Sequence, residues 1–296
     1  MPASDRLRGT VLSLAGVLIL SMDALALRLS SASPWTMCFW RGPFMAIALF
    51  AGIRVYYGKS WIRHCRAIGW LGLLIAFLLG GRHIFFVIAV SYTTIANVVV
   101  IVSTTPLFAA LFSAIFLKER TPLRTWIAIL VALGGIAVIF VGSLGGGTIP
   151  GDLLALVTAL FGAGSLVFIR RKKETNMTPA LALSGIIVFL VALPFAHPLL
   201  ITARDLTVFA VAGLIILPVS LTLVTLAPRY IPAPEVGLLM LINVVEAPLL
   251  VWLFQGETPG KMTFIGGAII VGALSVHFTR RWGKVTEKTG ELRPGK

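Results

Sequence analysis

Ten runs of mostly apolar residues follow one another along the chain, near 9–28, 34–53, 67–90, 94–117, 122–142, 151–169, 178–197, 207–227, 234–254 and 261–279. A bilayer core of ~30 Å needs ~20 such residues per helix, and inside it each backbone amide must find its partner within the protein. The pattern therefore predicts an all-α integral membrane protein with ten transmembrane helices. Composition agrees, since only 12% of the 296 residues are charged. A soluble domain carries roughly 25%, because water must wet its surface. The stretch 178–227 is the least regular, being interrupted by Pro194, Pro198 and Pro218.

The formal charge of +14 is sorted by loop rather than gathered into a basic domain, which argues against a nucleic-acid partner. With alternate loops assigned to opposite sides, one side receives 20 Lys and Arg and the other only Arg28, Arg204 and Lys261. Arg41 and Arg82 fall inside apolar runs. Cytoplasmic loops hold the Lys/Arg excess, so both termini are expected in the cytoplasm and the protein in the cell inner membrane. An even number of spans follows. No cleavable signal is expected, because the first run carries Asp23 and leads directly into the second. Cys38 in an apolar run and Cys65 in a basic loop do not suggest a disulfide framework. His64, His197 and His277 lack metal-ligand spacing, and neither a metal nor a cofactor is expected. There is no nucleophile elbow, zinc-protease motif or phosphate loop, so an enzyme is not expected.

An internal repeat lies beneath the ladder. Tyr92 and Glu119 correspond to Tyr230 and Glu257, both shifted by 138 positions, and the same offset carries Gly134 onto Gly272 and Asn97 onto Glu235. An offset of 142 carries Gly9, Leu12, Leu14 and Arg28 onto Gly151, Leu154, Leu156 and Arg170. The reading is a first five-helix repeat over 1–143, a second over 150–280 and a basic cytoplasmic tail over 281–296. An odd number of spans per copy makes the second copy enter the membrane from the opposite side. Two inverted repeats can exchange conformations around a central site.

Polar groups at membrane depth are costly and by default suggest function or an internal pair. Asp23 lies ~20 Å along the first helix from the cytoplasmic face, and Arg41 ~10 Å along the second from the outer face, at 1.5 Å per residue. Those depths coincide, so an Asp23–Arg41 ion pair is expected. Gly80 and Gly81 read as a break in the third run, and the 138 offset carries Gly80 onto Pro218 in the eighth. Interrupted helices at matching positions of inverted halves point to a substrate site. Arg82 and His83 follow that break; a guanidinium fork suits a carboxylate or phosphate, and an imidazole suits proton coupling. Asn243 and Glu246 share a face of the ninth helix. Glu246 has three readings: balancing Arg82, accepting a substrate ammonium group, or carrying a proton. Asn97 and Glu235 at helix entrances, Glu119 and Glu257 in helix-end turns, and Trp35, Trp40, Trp61, Trp70, Trp252 and Trp282 near span ends read as structural.

Several stretches resemble the drug/metabolite transporter superfamily and its EamA-type ten-helix carriers. They are Tyr92-Thr93-Thr94-Ile95-Ala96, Pro106 to Leu111, and Phe116 to Arg120 in the first half. In the second half they are Gly151-Asp152, Ala155-Leu156, Glu246-Ala247-Pro248, Gly256-Glu257 and Gly266-Gly267, and Arg41 also fits. The resemblance runs from about 9 to 280. It implies a ten-helix inverted-repeat carrier for small metabolites, often an exporter of amino acids or related compounds; a monomer is expected, because a single inverted repeat can enclose the site by itself. Aromatic amino-acid exporters of this family line their cavity with Trp and Tyr; the corresponding positions here are Ser21, Arg82, Thr105 and Gly162, which disfavours an aromatic substrate. The expected function is a secondary transporter of a carboxylate-bearing small molecule, most naturally an amino acid. Another solute class (drug or amine, vitamin, nucleotide-related) or lipid flipping would use the same scaffold.

Overall fold

Helix is the only regular structure among the residues described by the computed structural model, 3–28, 30, 32–140, 148–255 and 261–290. In chain order the helices are α1 (Ala3–Arg28), α2 (Pro34–Tyr57), α3 (Trp61–Ala67), α4 (Gly69–Tyr92), α5 (Ile95–Val102), α6 (Thr105–Phe112) and α7 (Leu123–Phe140). They continue as α8 (Ile149–Arg171), α9 (Thr178–Ala192), α10 (Ala203–Val211), α11 (Leu217–Leu226), α12 (Ala233–Met240), α13 (Ile242–Gln255) and α14 (Lys261–Gly290). Among the described residues six helical segments are long and apolar enough to cross a bilayer, with shorter apolar helices at Leu123–Ile139 and Thr178–Ala192. Large apolar side chains remain exposed halfway along these rods, Phe77 at 54% and Leu130 at 58%, as a lipid-facing surface requires. The chain is a multi-pass membrane protein.

The bundle has two chemically distinct ends. At one, Lys172 Nζ donates to the carbonyls of Ala67 (3.1 Å) and Ile68 (3.2 Å), and Arg229 Nε donates to that of Lys173 (2.7 Å). Arg170 forms an ion pair with Glu119 at 3.3 Å and donates to the carbonyl of Pro228 at 3.0 Å. The arginine- and lysine-rich loops therefore meet on a shared face. Glu257, the repeat counterpart of Glu119, lies outside the described residues. At the opposite end hydroxyls replace charges: Ser33, Thr94, Thr148 and Thr202 each accept a backbone N–H in the first turn of α2, α5, α8 and α10. Such caps satisfy amides that a helix start leaves unpaired. Thr94 rather than Asn97 caps α5, and Trp40 Nε1 anchors this end by donating to the carbonyl of Pro198 at 3.3 Å. Between α2 and α4, where the apolar runs predict a loop, the structure has the short helix α3, bracketed by Gly58 (φ +56°) and Gly69 (φ +59°). Positive φ at both corners is what glycine allows at no steric cost.

Two contacts join repeat-related residues of the two copies. A Cβ on Gly9 would lie 2.7 Å from Tyr230 Cβ and 2.8 Å from Ile231 Cγ2; a Cβ on Gly151 would lie 2.6 Å from Thr93 Cβ. Tyr230 and Ile231 are the repeat images of Tyr92 and Thr93, and Gly151 that of Gly9. The first contact sits at the basic end, beside Arg229, and the second at the hydroxyl-capped end. Packing follows the same rule: α4 lies on α8 as α11 lies on α1, while α2 with α9 and α7 with α14 join equivalent helices of the two halves.

Those like-with-like crossings are made by glycine. Gly42 and Gly185 face one another across α2 and α9, each so close that an added Cβ would come within 2.7 Å of the other's carbonyl oxygen. Across α7 and α14 the corresponding contact joins Gly135 and Gly266. Small residues let membrane helices approach backbone to backbone. Gly135→Ala is predicted to lower stability by about 1–3 kcal/mol, because backbone has to move. Gly134→Ala, where nothing lies within 4 Å, is predicted to be neutral or to stabilise by up to about 1 kcal/mol through helix propensity. Melting of the two purified variants in one detergent checks the contrast.

Candidate functional site

Two helices are broken at repeat-related positions. In the first half α5 ends at Val102 and α6 starts at Thr105; in the second α12 ends at Met240 and α13 starts at Ile242. Ser103 maps onto Leu241 by the offset of 138. Chain breaks at membrane depth survive only where the freed backbone groups are satisfied. At the first break three hydroxyls add donors to carbonyls of the preceding turn, Ser103 Oγ to Val99 O (2.6 Å), Thr104 Oγ1 to Ile101 O (2.5 Å) and Thr105 Oγ1 to Val102 O (2.6 Å). Tightened backbone turns close both breaks, Thr104 N to Ile101 O at 3.0 Å and Leu107 N to Thr104 O at 2.9 Å at the first, Leu241 N to Leu238 O at 3.2 Å and Val244 N to Leu241 O at 3.1 Å at the second.

The Gly80–Gly81 break expected from sequence is not there. Helix α4 runs unbroken from Gly69 to Tyr92, and both glycines serve packing. A Cβ on Gly81 would fall 2.5 Å from Phe161 Cε1, and one on Gly80 would fall 3.1 Å from Ile187 Cγ2. Pro218 does mark an irregularity: it sits buried in the first turn of α11, directly after a π-helical turn over Ala212–Ile216.

Around the breaks the polar side chains form two groups. On the second-half side, Asn243 Nδ2 donates to Ser21 Oγ at 2.9 Å, and Ser21 Oγ donates to Glu246 Oε2 at 2.8 Å. Ser21, fully buried in α1, thus gathers the two residues that the ninth-helix spacing singles out. Among the described residues Glu246 has no cationic partner. On the first-half side, a Cβ on Gly162 would touch Arg82 Cδ and Nε and Thr105 Cγ2, all at 3.4 Å, so α4, α6 and α8 converge there. No hydrogen bond or ion pair reaches the Arg82 guanidinium among the described residues, and none joins it to Glu246. Thr105 is the repeat image of Asn243, whereas Arg82 maps onto Ser220 and Glu246 onto Phe108. The pseudo-symmetry therefore holds for the scaffold and is broken by the charges.

A third group lies beside these. Arg41 Nη2 and Asp23 Oδ1 form an ion pair between α2 and α1, both residues buried. His83 stands within electrostatic range of Arg41, Asp23 and Arg82. Ser21, Thr105 and Gly162 carry no charge or motif of their own, and only their positions in the EamA-type pattern drew attention to them.

Comparison with known proteins agrees with this architecture. Residues 7–141 and 149–279 each match the EamA-like transporter family. The chain is 28% identical to the pseudopaline exporter of two Pseudomonas aeruginosa strains, over 68% of this chain and 72% of theirs. It is 26% identical to an uncharacterised transporter of Bacillus subtilis over 59% of each chain. A solved crystal structure at 19% identity superposes with a TM-score of 0.82, covering 92% of this chain and 98% of the other, a likeness of fold.

Arg41→Gln is predicted to destabilise by about 3–5 kcal/mol, because it strands a buried carboxylate. The double variant Asp23→Asn/Arg41→Gln is predicted to recover most of that loss. Thermal unfolding of the two single variants and the double variant gives the coupling directly; additive losses would remove the pair from the account.

Proposed function

The chain belongs to the EamA-like transporter family, and from that premise we propose that it is a secondary carrier of a small zwitterionic or carboxylate-bearing metabolite, an amino acid or related compound. The observation that carries this reading is the separation of opposite charges: Arg82 in the first repeat and Glu246 in the second, near the two helix breaks and not paired with one another. Arg82 offers a planar donor fork to a carboxylate. Glu246, already holding the Ser21 hydroxyl at 2.8 Å, offers its remaining acceptor sites to an ammonium group. A zwitterion supplies both missing partners at once, whereas a simple anion or cation leaves one charge uncompensated in a low-dielectric site.

The transport path in this reading crosses ten spans: α1, α2, α4, α5–α6, α7, α8, α9, α10–α11, α12–α13 and α14. The basic end faces the cytoplasm, by the bias of cytoplasmic loops toward Lys and Arg, which places both termini there and the protein in the inner membrane. Alternating access is rocking of the two inverted repeats about the breaks. Export is the direction we assign, in line with the pseudopaline exporters to which the chain is similar. His83, between Arg82 and the Asp23–Arg41 pair, is the residue we assign to proton coupling.

Counterflow into proteoliposomes loaded with amino-acid and carboxylate pools tests the reading. Arg82→Gln and Glu246→Gln are each predicted to weaken transport of the accepted solute by about ten- to a hundredfold, the worth of a charged hydrogen bond. Wild-type rates in both variants would remove the two charges from the mechanism.

A further inference from the structure

A lateral groove of about 490 Å³ opens between the first helix break and α8, on the flank of the bundle away from the basic end. Its walls are apolar, Ile101, Leu107 and Phe108 on one side and Leu156 on the other, with Thr104 of the break between them. Its rim is exposed, Ile149 at 77% and Leu153 at 57%. One charged side chain lines it, Asp152 in the first turn of α8.

The environment of Asp152 is unusual for a carboxylate at the edge of a membrane. Oδ1 accepts from Thr93 Oγ1 at 2.8 Å and from Asn97 Nδ2 at 3.3 Å. Oδ2 has no hydrogen-bond partner, and no cationic side chain pairs with the group, among the described residues. The start of α8 favours a negative charge there through its backbone dipole. Helix capping does not need this carboxylate, because Thr148 already accepts from Gly151 N. The repeat image of Asp152 is Thr10, so the first copy carries no acid at the matching place.

A groove that faces the bilayer is filled by acyl chains. A carboxylate at its outer rim, lacking a cation, selects the headgroup above them. We propose that this groove is a binding site for a phospholipid with a primary-ammonium headgroup, whose ammonium donates to Asp152 Oδ2 while one acyl chain lies along Leu107, Phe108 and Leu156. A primary ammonium brings three donors. A quaternary headgroup brings charge without a donor, and an anionic headgroup is repelled. Because Thr104 lines the groove, the bound lipid seats directly on the break between α5 and α6. The site stands on the groove and its charge alone, and does not depend on which solute the protein carries.

Native mass spectrometry of the purified full-length protein, titrated with phosphatidylethanolamine, phosphatidylcholine and phosphatidylglycerol of identical chains, tests it. Phosphatidylethanolamine is expected to be retained about tenfold better than the other two, the worth of a charged hydrogen bond. Asp152→Asn, which keeps an acceptor for Thr93, is expected to abolish that preference at unchanged melting temperature. Leu153→Trp, at the exposed rim, is expected to reduce retention of all three lipids by obstructing the groove. Equal retention of the three lipids by the wild type, preference for phosphatidylglycerol, or a preference that survives Asp152→Asn would each overturn the site.

Discussion

Hydrocarbon offers no hydrogen bonds, and that single constraint organises this molecule. It turns nearly the whole chain into helix, since only a helix satisfies its backbone within one segment. It also makes any departure from helix informative. The two departures at matching repeat positions, after Val102 and after Met240, are both closed by tighter backbone turns, and three hydroxyls add further donors to backbone carbonyls at the first. Irregular backbone is tolerated at membrane depth only where its polar groups find partners within the protein, as they do at both breaks.

The same constraint sorts the charges. Asp23 and Arg41 answer one another across α1 and α2, which leaves a neutral pair that two helices can bury. Among the described residues Arg82 and Glu246 have no such answer, and they stand in different repeats. A scaffold with two-fold pseudo-symmetry would present chemically equivalent walls to a ligand. Replacing the image of Arg82 with Ser220 and the image of Glu246 with Phe108 makes the walls opposite in sign. In the function proposed above, a ligand held between them has a defined orientation, while near-symmetry of the backbone serves the exchange of shapes between the two halves.

Much of this was legible in the sequence, and the failures have a common cause. Apolar runs located the helices, and the offset of 138 linked the halves. Loop charge anticipated which loops meet, as the contacts of Arg170, Lys172 and Arg229 show. Gly80–Gly81 was misread because glycine in a membrane helix more often admits a neighbour, here Phe161, than breaks the helix. The true break carried a signal in Thr104-Thr105-Pro106, since proline favours the first turn of a helix. Its partner at Leu241 carried none and is found only through the repeat. Ser21 stood out only by its place in the EamA-type pattern; its role as a link is set by Asn243 and Glu246, which arrive beside it from 222 and 225 positions away.

The central claim is that two copies of one unit lie upside down with respect to each other. Arg8 and Pro150 occupy equivalent places in the two copies, at the starts of α1 and α8. With Cys38 and Cys65 replaced, single cysteines at these two positions can be challenged with a membrane-impermeant thiol reagent in intact cells and in inverted vesicles. The account predicts that Pro150→Cys reacts in intact cells and Arg8→Cys only in inverted vesicles. Reaction of both from the same side would contradict it.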